Sequence, residues 1–337
     1  MEKQVLQTLL QNKFFGIGSK NFTGISLDSY NVKGLLFEQG TAQKYFIERN
    51  RDLPQLLKKI WENKKISSKK VKLTLKNPFC LVRYFSFPKM DKKKIRQALT
   101  FELNKYIPFP SNQVYFDFFV LKEINPSEIF IILAVAKKDV IDPILESFEK
   151  AGLDVSEIDL DSIALINFFL EAYPEENKNL NACVLDLGYD FSVMSILNKG
   201  FPYLTRDIKF SIKDIFEVVS RVRDIHIDDV ENWALLSENK EDFLSLAQDN
   251  ISNLCGELKS SFDYFEVNKG EQIDILFINR GLLSVEGLED IFSKSLGTKI
   301  SAIKVPADKW NGLKEDVSVG KLNSFKDNFS VVFGLNT

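Results

Sequence analysis

Three cysteines, one histidine and a handful of aspartate-bearing turns are the residues of this sequence with chemistry to offer. A thiol nucleophile needs a neighbouring base, and His226 is the only histidine in the chain. It lies in the polar stretch RVRDIHIDDVE, remote in sequence from Cys80, Cys183 and Cys255. Each cysteine sits in an apolar context and none forms a CxxC pair, so they read as reduced, buried thiols of a reducing compartment. His226 reads as a surface or helix-capping residue. One histidine and no cysteine pair leave no ligand set for zinc, and no metal site is expected. Asp186 and Gly188 in LDLG form a strand-Asp-x-Gly turn, which is common and specifies little alone.

The elements that must position these groups follow from periodicity. With 337 residues, 45% of them apolar and 27% charged, the chain is globular and long enough for two lobes or several subdomains. A net charge of -3 lacks the basic excess of a nucleic-acid binder. The longest apolar run, IFIILAVA (129–136), is far short of the ~20 residues needed to span a bilayer and reads as a buried strand. Met1 to Lys13 places Val5, Leu6, Leu9 and Leu10 on one helical face, and reads as a short amphipathic helix, not a signal peptide.

The first lobe opens with three short strands, FTGISLD, VKGLLFEQ and KYFIE, then the helix LPQLLKKIWENK and the strand VKLTLK. Residues 77–152 change character. CLVRYFSF, VYFDFFVL and IFIILAVA read as strands, and KKKIRQALTFELNKYI as a helix stopped by Pro108. A second helix, VIDPILESFEKAG, takes Asp139 as N-cap, Pro143 in its first turn and Gly152 as its stop. From Ala182, ACVLDLG, SVMSILNKG and FPYLTRDI repeat the opening meander, which suggests an internal duplication. DILFIN reads as the last strand and SFKDNFSVVFGLNT as a closing helix. The expected domains are 1–76 (first lobe), 77–152 (insert), 153–181 (first lobe again), 182–325 (second lobe) and 326–337 (closing helix on the first lobe).

The stretch QALTFELNKYIPFPSNQVYFDFFVL (97–121) resembles the pilus-assembly PilM family, with FSFPKM before it and LAVAKKDVIDPI after it. LDLGYDFSVMSILNKGFPYLTRDI, GELKSSFDYF and GLLSVEGLEDIFSKSLG extend the resemblance from Thr23 to Leu335. It implies an α/β, actin-like (ribonuclease H-like) two-lobed fold with an FtsA-type subdomain inserted in the first lobe. It also implies a cytoplasmic protein peripheral to the inner membrane, in a type IV pilus or related secretion machine. In that family a groove between first lobe and insert holds the N-terminal tail of the membrane protein PilN. Residues carried onto that role are Phe87, Pro88, Tyr106, Ile107, Pro108, Phe109 and Pro110. Prolines and aromatics at a helix end make a stiff apolar corner, the pre-formed surface a flexible peptide needs. The same side chains could equally be insert core, Ile107 above all.

The resemblance also brings Mg-ATP as a cofactor, and here the sequence departs from the pattern. In the first loop, GISLDSYNVK, Ser26 stands where a metal-organising aspartate belongs and Asp28 where a glycine belongs, before Lys33. A carboxylate about 4 Å from a phosphate charge costs on the order of 4 kcal/mol at an effective dielectric of 20, roughly a thousandfold in affinity. The second loop keeps Asp186 and Gly188 but follows them with Tyr189, Asp190 and Phe191. In the adenosine turn Asn279 and Arg280 replace glycines and only Gly281 remains; Glu257 and Lys259 keep the ribose and base positions. The expectation is a scaffold with weak or absent ATP binding, not an enzyme. The partners implied are a PilN-like tail, the pilus motor ATPase and further copies of the chain, with no nucleic acid. The rival readings are a polymerising FtsA-like actin homologue and the cytoplasmic part of a type II secretion platform protein. The lysines from Lys58 to Lys94 read as a solvated face or as one near an anionic leaflet.

Overall fold

The structure is a computed structural model, described for residues 21–76, 80–283, 285–311, 313 and 326–336. The chain folds into two compact units: 1–167 with 310–313 and 332–337, and 168–309 with 314–331. The sequence pattern places the start of the second lobe at residue 182, later than the start of the second unit. The expected helix at Met1 to Lys13 lies outside the described residues.

In the first unit, β1 (Phe22–Leu27), β2 (Asn31–Glu38) and β3 (Thr41–Arg49) form an antiparallel meander. Next comes α1 (Leu53–Lys64), started by the Asp52 side chain, which accepts the Gln55 N–H, and by Pro54 in the first turn. Its end is sealed by Lys65 in the left-handed region and by Lys44, whose Nζ donates to the Lys64 carbonyl at 2.7 Å. Strands β4 (Lys70–Leu75) and β8 (Asp154–Leu160) add in parallel, giving the order β3-β2-β1-β4-β8.

Between β4 and β8 lies the insert: β5 (Cys80–Pro88), α2 (Lys92–Glu102), β6 (Val114–Asn125), β7 (Glu128–Lys137) and α3 (Lys138–Lys150). Its antiparallel sheet runs β5-β7-β6, so the apolar run is the central strand. Side chains alternate along a strand, and β7 is apolar on both faces. Ile129, Ile131, Leu133 and Val135 pack under Ile95 and Leu99 of α2, whereas Ile132, Ala134 and Ala136 join Ile141 and Phe148 of α3 in the core of the five-stranded sheet. The insert therefore has its own core on one side and shares the body's core on the other.

The second unit repeats the topology. Helix α4 (Asp161–Ala172), whose first seven residues belong to the first unit, and α5 (Pro174–Asn179) lead to β9 (Asn181–Asp186), β10 (Ser192–Asn198) and β11 (Phe201–Ile208). Helices α6 (Ile212–Arg223), α7 (Val230–Ala234) and the long α8 (Lys240–Lys269) follow, then β12 (Ile275–Asn279), α9 (Leu288–Leu296) and β13 (Lys299–Ala302). The sheet order β11-β10-β9-β12-β13 matches the first sheet strand for strand. The duplication was legible; β13 was not, because KISA is too short to carry a period, and DILFIN is not the last strand.

Two more local expectations need correction. Helix α3 begins at Lys138 with Lys137 as an N-cap that makes no side-chain bond. Asp139 is inside its first turn, where its charge favours the positive helix end, and Pro143 is inside the helix. The closing segment is a 3-10 turn (Lys326–Phe329) and a single turn, α10 (Ser330–Phe333). Of it, residues 332–337 belong to the first unit and 326–331 to the second.

The last described residues seal the first unit. The buried Lys72 of β4 donates to the Leu335 carbonyl at 3.2 Å, pairs with Glu157 at 3.3 Å and lies 4.3 Å from the Phe22 ring centre. A Cβ on Gly334 would stand 1.8 Å from the Ala164 carbonyl oxygen. Breaking a buried ion pair leaves a charge without compensation. Lys72→Met is therefore expected to cost about 2–3 kcal/mol, with Glu157 partly solvated, measured by urea unfolding. Gly334→Ala should loosen the segment, and limited proteolysis should cleave it first.

Asp117 of β6 is buried beside the half-buried Arg96 of α2, with which it pairs. Burial raises its carboxyl above the ordinary range, outweighing the attraction of Arg96. Between the ordinary and raised values the folded state binds more protons than the unfolded one, so stability falls as pH rises through that window. Urea titrations across acidic pH should show this slope in the wild type and a flatter one in Asp117→Asn.

Candidate functional site

The apolar corner sits at the end of α2. Asp91 starts this helix by accepting the Lys94 N–H at 2.9 Å; it ends in a 3-10 turn (Leu103–Lys105) before Pro108. Ile107 and Phe87 are buried in the insert's own core with Leu99 and Leu103. Tyr106 and Phe109 are half-buried at its border, and Pro88, Pro108 and Pro110 are exposed. Tyr106 stacks on Phe85 with ring centres 3.9 Å apart and planes within 8°. Burial, then the nearby Glu102, raises the Tyr106 hydroxyl pKa. The structure thus brings Phe87, Tyr106, Ile107 and Phe109 to the side of the sheet that α2 covers, whereas Pro88, one residue on from Phe87, turns to the other face at the Glu128 end of β7, and Phe109 lies near Lys137 at its opposite end.

The opposite face of the same sheet carries a second apolar strip that sequence reasoning missed. Tyr84 and Phe119 flank Ile132 in register, and Phe130 stacks on Tyr84 at 6.5 Å. Tyr84, Phe119 and Leu121 are half-buried against the body's core, beside Ile144 and Leu145 of α3 and Leu53 and Leu56 of α1. Alternation within CLVRYFSF and VYFDFFVL marks two apolar faces. It does not mark which one stays half-open; the placement of α3 decides that.

The loop after β1 is closed on itself. The Asp28 carboxylate accepts the Tyr30 N–H at 2.8 Å and the Asn31 N–H at 2.6 Å, through one oxygen. Asn50 donates to the Asp28 carbonyl at 2.8 Å, and Arg49 covers the Tyr30 ring at 3.6 Å. The amides that could face an external anion are held by an internal one. Ser26, buried in β1, donates to Asp161 at the start of α4 at 3.3 Å. Lys33 lies half-buried on β2 opposite Ser26. Sequence reasoning missed Asp161, although an acid at a strand-to-helix junction, LDSIAL, was its available signal.

The turns of the second unit also carry internal bonds, although the Asn279 amide oxygen is buried without a hydrogen-bond partner. Asp186 at the end of β9 is buried and accepts the Asn279 amide at 2.7 Å across adjacent parallel strands. The Gly188 N–H donates to Ser192 Oγ at 3.2 Å. Tyr189 is buried edge-on to Phe216 and does not hang over the turn. Arg280 reaches Glu289 at 3.3 Å and Asp327 at 3.9 Å. Gly281, at φ +55°, is required by the fold, because a Cβ there would lie 2.5 Å from the Leu187 carbonyl oxygen. On α8, Glu257 pairs with Arg206 of β11 at 2.5 Å, and Lys259 is exposed. The structure brings Asp186, Gly188, Asn279 and Gly281 together at one end of the sheet, while Glu257 is held to β11.

The remaining chemistry-bearing residues are structural. All three cysteines are buried thiols outside any disulfide, and burial raises the Cys183 and Cys255 pKa values. His226 is exposed and caps a 3-10 turn by accepting the Asp228 N–H. Among the described residues no group of His, Cys, Asp and Glu could hold a metal ion, and no helix is long and apolar enough to cross a membrane.

Comparison with known proteins agrees with this architecture. The structure is similar to the PilM-PilN type IV pilus biogenesis complex, with a TM-score of 0.79 and 20% identity over 94% of this chain and 97% of that one. It is also similar to the ethanolamine utilization protein EutJ from Carboxydothermus hydrogenoformans, with a TM-score of 0.55 and 9% identity over 95% and 90% of the two chains. The fold is actin-like. The family model for type IV pilus assembly protein PilM matches residues 18–336, so the chain belongs to the PilM family.

Proposed function

We propose that this chain is a cytoplasmic scaffold of a type IV pilus assembly platform. It docks the N-terminal tail of a PilN-like membrane protein and is held at the inner membrane through it. The structural likeness to a PilM-PilN complex supports the choice of partner. The observation that carries the reading is the half-buried strip of Tyr84, Phe119, Leu121 and Phe130, facing the body of the first unit. A peptide loses conformational freedom on binding, so it gains most from aromatic surface already fixed in place. Tyr84 and Phe130 are fixed by their mutual stack and by the sheet beneath them. The strip lies on the opposite face from Tyr106 and Phe109, whose role is to hold α2 on the sheet.

In this reading the scaffold works without nucleotide. Three observations support it: Asp28 occupies the amides of its own turn, Asn279 occupies Asp186, and Ser192 occupies the Gly188 N–H. A triphosphate would have to displace these bonds and face the Asp28 charge. The residues present do not fit Mg-ATP, and no catalytic step is assigned to them.

Calorimetric titration tests both halves. A synthetic PilN-type tail should release heat and Mg-ATP should not; saturable Mg-ATP binding near micromolar affinity would overturn the second half. Tyr84→Ala and Phe130→Ala should each weaken the tail by about 2 kcal/mol, roughly thirtyfold. Tyr106→Ala should change it far less. Asp28→Ala leaves two N–H groups without their acceptor. It should lower stability by about 1–3 kcal/mol, read as a lower urea midpoint.

A further inference from the structure

Helix α2 buries Ile95 and Leu99 on one side, and on the other exposes Phe101 at 88% of its surface, the largest exposure of any bulky apolar residue described. At helical spacing, Phe101 shares its face with Lys94, Gln97 and Ala98. Lys93 flanks that face, and Asn104 and Lys105 extend it into the following 3-10 turn. From Asp91 to Lys105 there are five basic residues and two acidic ones, a net +3 in a chain whose total is -3, with Arg96 among the five paired to Asp117. One of those acids, Asp91, is engaged as the helix cap. Lys94 meets Asp91 at 3.4 Å and Lys105 meets Glu102 at 3.3 Å; both are solvated pairs of the kind that contribute little.

A lone ring among lysines and amides is poorly made for a protein interface, which needs a contiguous apolar centre and excludes lysine from it. It suits a lipid surface, where a single aromatic enters the headgroup layer and lysines meet anionic phosphates without shape complementarity. We infer that the Phe101 face of α2, with Lys93 and Lys94, is a contact surface for an anionic bilayer. This inference does not rest on the docked tail, and protein-free vesicles separate the two.

Flotation of the full chain with vesicles tests it. Binding is expected on phosphatidylcholine mixed with phosphatidylglycerol, falling steeply with salt, and not on phosphatidylcholine alone. Phe101→Ser should reduce the partition constant by about tenfold or more. Replacing Lys93 and Lys94 with Gln should reduce it by about fivefold per lysine. All three are exposed, so circular dichroism and urea midpoints should stay at wild-type values. Equal binding to neutral vesicles, or unchanged binding of Phe101→Ser, overturns the inference. So does a wild type that ignores vesicles but forms a dimer that Phe101→Ser dissolves, which would assign the face to a second copy of the chain.

Discussion

Strand β7 is apolar on both sides, and that single constraint fixes the insert to the body. Ile131 and Leu133 must be covered by α2, and Ile132 and Ala134 by α3 and the larger core. Neither face can be left to water without exposing a full row of aliphatic side chains. The three-stranded sheet is therefore a wall between two cores. Everything attached to that wall inherits its rigidity, including the Tyr84–Phe130 stack on the inner face and the Phe101 helix on the outer one. A recognition surface needs such backing, because a loose aromatic would lose on ordering what it gains on contact.

The turns at the sheet ends are held chiefly by bonds within the chain. The Tyr30, Asn31 and Gly188 amides at these positions are each held by a side chain of the same turn. Asp28 acts as an internal anion for its own hairpin, and Asn279 answers Asp186 across the strand register. Polar groups paired in this way stabilise the turns and leave fewer donors for external ligands. Backbone packing on Leu187 requires Gly281 whatever else the turn does.

Much of this was legible in the sequence. The continuous run IFIILAVA announced a buried strand, and the fourfold spacing of Ile95, Leu99 and Leu103 announced α2. The repeated meander announced the matched sheets. Local chemistry was readable where the partner lay a few residues away: Asp28-Ser-Tyr-Asn is a sequence suited to a carboxylate capping its own turn. Long-range pairings were not. Asp186 and Asn279 are 93 residues apart, and Ser26 and Asp161 are 135 apart. Which face of the insert sheet stays half-open depended on where α3 lands, a tertiary fact that no period encodes. The N-terminus of α3 differs from expectation because Asp139 is a good cap by type, whereas backbone geometry starts the helix at Lys138.

The seal over Lys72 has a bearing on biosynthesis. Its ammonium sits in a central strand and is answered by a carbonyl 263 residues later. Contacts of such separation form late. As the polypeptide leaves the ribosome, the first five-stranded sheet can assemble from residues 22–160 with Lys72 already paired to Glu157, yet its ammonium lacks the Leu335 carbonyl until residue 335 has emerged. That sheet should therefore stay looser and more chaperone-accessible until residue 335 reaches it, and tighten then.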